Sequence, residues 1–123
     1  RYDLRRRGMI RDTIHTREVD TAYMRGVDLL QKRRYAKALY NLLEYRDRNT
    51  VVTLLSLGHD AQALEILAGL EKSATTEYLK AVACSRLGRK AEGREHFLTA
   101  CGMDGRMQYR GNLDPEITEL LKQ

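Results

Sequence analysis

The sequence has no tryptophan, a single proline and a single phenylalanine. It has no apolar stretch long enough for a membrane span or for the core of a secretory signal. A single-sign charge field is also missing. The formal charge is +5, but five arginines against Asp3 fall within the first eleven residues, leaving 17 basic and 16 acidic side chains elsewhere. A near-neutral body of this kind lacks the field that general nucleic-acid binding needs. Glycines and histidines occur singly, so a phosphate-binding loop, a dinucleotide fingerprint, a nucleophile elbow and a paired-histidine metalloprotease helix have no framework here.

What is present is aliphatic. Leu, Ala, Val and Ile recur at three- and four-residue steps rather than in alternation, which predicts an all-α fold. Residues 1–19 show no sustained period and are expected to be a linker or the end of an upstream region, in a chain that reads as a piece of a longer protein. A helical repeat domain is expected over 20–123. Asp20 or Thr21 caps a first helix to Lys32, with Tyr23, Val27 and Leu30 on one stripe, and a second runs from Tyr35 to Tyr45. Asn49 caps a shorter helix to Leu57, Gly58 ends it, and a partner helix follows from Asp60 to about Leu70. Thr75 or Thr76 opens another, Gly88 closes it, and 89–101 form its partner. A loop spans 103–112, and Asp114 and Pro115 start a capping helix to Lys122.

Aligned on their turns, the three hairpins superpose Ala38, Ala63 and Gly93, 25 and 30 residues apart, where a small residue lets paired helices approach. The alignment also pairs Gly26 with Val51 and Ala81, and Leu42 with Leu67 and Phe97. The third hairpin, with Ala81, Leu87-Gly88, Ala91-Glu92-Gly93, Phe97 and Ala100, resembles a tetratricopeptide repeat, and the resemblance extends over about residues 20–101. It departs from the family in its shorter period and in Arg33, which stands where the turn glycine belongs.

The resemblance implies an α-solenoid whose concave face binds a peptide or partner domain. Carried over by position, that groove is lined by Tyr23, Val27, Leu30 and Gln31, by Arg48, Val52, Leu55 and Ser56, and by Tyr78, Val82, Ser85 and Arg86. This largely apolar surface with two arginines suits an apolar or acidic peptide. The competing reading is that the same residues are core, covered by another part of the chain. The stretch Tyr109 to Glu116 is similar to C-terminal regions of some Gram-negative envelope proteins that follow an OmpA-like part, which implies the periplasm.

No catalytic residue, cofactor or metal is expected. Cys84 and Cys101 lie on antiparallel helices with a mismatch of roughly 12 Å along the axis, too far for a disulfide, and are expected to be unpaired and buried. Cys84, His96 and Cys101 make a poor metal set because His96 and Cys101, five apart on one helix, face different ways. His59 beside Asp60 reads as a helix start, and His15 has no legible partner. Asp104 and its neighbours lack the alternating carboxylates of a calcium loop. Basic residues at the turns, Lys32 to Arg34 and Arg86 to Lys90, fit helix C-terminal ends without a ligand.

Overall fold

The computed structural model describes residues 13–122, with side chains from residue 21 onward. The described residues form eight α-helices and one 3-10 turn, with no strand. They fall into two compact units, Arg1–Glu44 and Tyr45–Gln123.

The first unit contains α1 (Thr13–Gln31) and α2 (Tyr35–Leu42), followed by the 3-10 turn Leu43–Tyr45 at the boundary between the units. α1 starts well before Asp20 and Thr21, which are interior to it and not its cap. The expected linker therefore overlaps a helix from Thr13 to Val19, and its residues 1–12 lie outside the described residues. Apolar periodicity marks only the part of a helix that buries a face, so a helical stretch of mixed polarity leaves no such mark. Gly26, Ala38 and Leu42 are buried, as the alignment of the hairpins expects.

The second unit contains α3 (Arg48–Ser56), α4 (Asp60–Ala68), α5 (Ala74–Arg86), α6 (Lys90–Met103), α7 (Arg106–Asn112) and α8 (Pro115–Leu121). Two helix starts differ from expectation. Asp47, not Asn49, caps α3: its carboxylate accepts from the Thr50 amide at 3.0 Å while its own amide reaches Thr50 Oγ1 at 3.4 Å. Ser73, not Thr75 or Thr76, caps α5 in the same reciprocal way, with Thr76 as the partner at 3.1 and 2.8 Å. Both are capping boxes with Thr in the place usually held by Glu or Gln. The expected loop 103–112 contains α7, whose N-cap is Gly105 and whose first amide, that of Arg106, donates to the Asp104 carboxylate at 3.0 Å. At seven residues it is too short to display a period. α8 begins as expected, with Pro115 in its first turn and the Asp114 carboxylate accepting from the Glu116 amide at 3.0 Å.

The three hairpin turns share one backbone geometry. Arg33, Gly58 and Gly88 all adopt positive φ, at 61°, 82° and 79°. The next residues, Arg34, His59 and Arg89, repeat φ of −97°, −89° and −93° with ψ of 73°, 64° and 68°. Their amides donate back to Leu29, Leu54 and Cys84 carbonyls at 2.9, 2.9 and 2.8 Å. This six-to-one bond is the signature of a Schellman ending, which satisfies a carbonyl that the helix itself leaves orphaned. The turns thus recur at the 25- and 30-residue steps read from the small residues. Val51, Leu67, Ala81 and Phe97 are buried at the aligned positions.

The core of the second unit gathers Tyr78, Ala81, Val82, Phe97, Ala100, Met107, Ile117 and Leu120. Tyr78 and Phe97 meet edge to face with centroids 6.1 Å apart, a geometry that aligns a ring's positive edge with its neighbour's negative face. Gly93 sits where α5, α6 and α8 converge. A Cβ there would lie 2.7 Å from Leu120 Cδ1 and 3.1 Å from Cys84 Cβ, so the packing requires its bare backbone.

Candidate functional site

The twelve residues expected to line one groove divide between the two units. Tyr23, Val27 and Leu30 of α1 are half-buried and Gln31 is exposed. On α3, Arg48 and Ser56 are exposed, Val52 is half-buried and Leu55 is buried. On α5 the expected groove is filled by the chain itself. Tyr78 and Val82 are core residues, and the Tyr78 hydroxyl donates to Asp114 Oδ2 at 2.7 Å. The Ser85 hydroxyl donates to the Glu116 carbonyl at 2.8 Å. Arg86 forms ion pairs with Glu116 and with Asp60, the latter at 2.9 Å, and its Nη1 donates to the Leu55 carbonyl. A helix inside a stack buries one stripe against its partner and another against the next element. Sequence periodicity shows the second stripe but not its occupant. For α5 that occupant is α8.

The most exposed apolar side chains of the second unit lie on α7 and just beyond it, with Leu98 and Met103 of α6 also open. Tyr109 is 77% exposed and Leu113 80% exposed. They border a pocket of about 480 Å³ that also touches Thr75, Asp104, Arg106, Met107 and Arg110. Arg106 donates to both Asp104 oxygens, at 3.0 and 2.8 Å, and holds that carboxyl below the usual range. The Arg106 hydrogen bonds are the cause. The Arg110 guanidinium lies 5.0 Å from the Tyr78 ring centroid, a cation–π arrangement. None of these α7 residues was singled out for binding in the sequence. A stretch assigned to a loop hides the fact that Arg106, Tyr109, Arg110 and Leu113 recur at three- and four-residue steps.

A second cluster spans the α5–α6 hairpin. The Glu77 carboxylate, 3% exposed, receives Lys80 Nζ at 2.9 Å and sits 2.8 Å from His96 Nδ1. Burial pushes Glu77 up, but the hydrogen bonds from His96 and Lys80 outweigh it and hold the carboxyl below its ordinary value. Cys84, Glu92 and His96 bring one ligand atom each within 4.8 Å of one another. Cys101 stands apart: it is half-buried rather than buried, with its thiol 3.8 Å from Gln108 Oε1. Both cysteines are free thiols, and burial raises the pKa of each, Glu92 adding to the effect at Cys84. The rejected set of Cys84, His96 and Cys101 is therefore split, and Glu92, one turn before His96, takes the third place. Its spacing of four from His96 was the signal in the sequence.

Among the described residues no helix is long and apolar enough to cross a membrane. Comparison with family models, curated proteins and solved structures returned no match.

Proposed function

We propose that the chain is a non-catalytic protein-interaction module, a short solenoid of tetratricopeptide-like hairpins that receives a segment of another protein. The repeated turn geometry and the matching buried positions support the repeat reading. The observation that carries the binding reading is the α7 surface, where Tyr109 and Leu113 stand in the open beside Arg106 and Arg110. Exposed aromatic and aliphatic groups next to arginine have the composition of interface anchors, and leaving them in water is unfavourable unless a partner covers them. The pocket is suited to an apolar side chain, and the arginines to a neighbouring carboxylate. The docking surface thus moves from the α5 stripe, which α8 fills, to the pocket between α7 and the start of α5. The likeness of residues 109–116 to envelope proteins supports a periplasmic setting for the module and its partner.

The test is selection from a displayed peptide library on the 123-residue chain and on Leu113→Glu, a substitution at an open position. The wild type should enrich peptides carrying an apolar residue beside acidic ones, and the variant should bind them about tenfold or more weakly. Enrichment unaffected by Leu113→Glu would remove the α7 surface from the reading. Failure of both proteins to enrich any peptide would favour the second reading, an accessory domain packed on its own longer chain. The filling of the α5 stripe by α8 is the observation that favours it.

A further inference from the structure

We propose that Cys84, Glu92 and His96 form a binding site for a thiophilic divalent cation such as Zn²⁺, with Glu77 as the positioning residue for the histidine. This inference is independent of the protein-interaction reading.

The three ligand-bearing side chains come from facing helices. Glu92 and His96 are one turn apart on α6, and Cys84 projects from α5 at the level where Gly93 lets the helices touch. Their ligand atoms already lie within 4.8 Å of one another. A tetrahedral zinc with bonds of 2.0–2.3 Å needs them roughly 3.5 Å apart. The remaining closure falls chiefly to Glu92, whose exposed side chain is free to rotate.

Two observations separate this cluster from a chance gathering of polar groups. The first is Cys84 itself. It is fully buried, and among the described residues its thiol has no hydrogen-bond partner. An aliphatic residue would fill that place equally well, as Leu54 does at the aligned position of the second hairpin. The second is the contact between Glu77 and His96. A buried carboxylate on Nδ1 fixes the imidazole ring and leaves Nε2 as the free nitrogen, the outer-shell arrangement typical of metal-bound histidine. Glu77 is in turn held by Lys80, so the carboxylate has a fixed position.

The surroundings suit a dication and an open coordination place. A pocket of about 380 Å³ borders Glu92 and His96, with the buried Cys84 behind them and outside its lining, and is walled on the far side by α4, so a water or an incoming ligand would reach the site from the Glu92 and His96 side. Once Cys84 loses its proton, four anionic groups (Cys84, Glu92, Glu77, Glu65) face two cationic ones, Lys80 and Arg89, and the excess matches a divalent cation. Binding releases the Cys84 thiol proton to solvent while the thiolate, the Glu92 carboxylate and neutral His96 each donate one electron pair. Sulfur in the donor set favours Zn²⁺ or Co²⁺ over Mg²⁺ or Ca²⁺, which prefer all-oxygen sites.

The experiment is titration of the 123-residue chain with Co²⁺, followed by displacement with Zn²⁺. One Co²⁺ per chain should bind with a near-ultraviolet sulfur-to-metal absorption that Zn²⁺ abolishes. Cys84→Ser should lose that absorption and Cys101→Ser should keep it. Glu92→Gln, at an exposed position, and His96→Gln, at a half-buried one where glutamine can still donate to Glu77, should keep the far-ultraviolet dichroism of the wild type and lose most of the affinity. Glu77→Gln should retain the spectrum and bind about 10- to 100-fold more weakly, an effect that a merely structural role for Glu77 would not produce. No sulfur-to-metal absorption in the wild type, an absorption that depends on Cys101, or affinity unaltered in Glu92→Gln and His96→Gln would each overturn the proposal.

Discussion

Tyr78 shows how one side chain serves packing and polarity together. Its ring lies in the core against Phe97, with Arg110 over one face, while its hydroxyl donates to Asp114 at the start of α8. Burial, and then the bond to Asp114, push the phenol well above its ordinary value of 10.0. Because the folded value is the raised one, the stabilisation is complete below pH 10.0 and is lost as the pH climbs from there through the folded value, where the unfolded chain ionises first. Tyr78→Phe should therefore be less stable than wild type by about 1–2 kcal/mol at neutral pH. Chemical denaturation at neutral pH and above pH 10 should show the gap narrowing on the alkaline side. A constant gap would mean that the hydroxyl contributes nothing through its titration. In the sequence Tyr78 read as a groove aromatic, since nothing local reveals that its hydroxyl partner stands 36 residues further on. Cys101 departs from the expected burial for a related reason: it follows Ala100 at the end of the buried stripe, and one residue's rotation about α6 turns it outward.

Among the elements, the turns are the most informative. Gly58 and Gly88 were legible as helix ends because a left-handed residue is most readily a glycine. Arg33 was legible only by alignment, and it adopts the same backbone at a steric cost that glycine avoids. Arg33→Gly should raise the melting stability of the chain by up to ~1 kcal/mol, the relief of left-handed strain being partly offset by glycine's greater freedom when unfolded. Gly88→Ala should lower it by about 1 kcal/mol. Equal responses of the two variants in thermal unfolding would mean that the three turns do not share an energetic basis. Helices α2 to α6 were recognisable because each buries a stripe with helical period. α7 is too short for that, and the starts of α3 and α5 were displaced because several cap-forming residues stand close together, Asp47 near Asn49 and Ser73 near Thr75.

For the molecule as a whole, the all-helical class and the three hairpins could be read from spacing alone, but the neighbour of each apolar face could not. α8 decides the matter for α5 and α6. Its Ile117 and Leu120 are fully buried, and burial of two such side chains contributes about 3–6 kcal/mol, a large share of the stability of a unit this size. A chain ending after Leu113 should lose its cooperative thermal transition and bind a hydrophobic dye, because Tyr78, Val82 and Phe97 lose their cover. A truncated chain that melts as sharply as the whole would show that the α5 stripe is stable when open. Arg86 extends the influence of α8 further back. Its guanidinium joins Glu116 to Asp60 and to the Leu55 carbonyl near the end of α3, so a helix end in the second hairpin is capped by a side chain from the third, itself anchored to α8. Fraying of the final helix thus takes away one of that arginine's three partners and slackens its hold on a carbonyl in α3, coupling the distant ends of this unit.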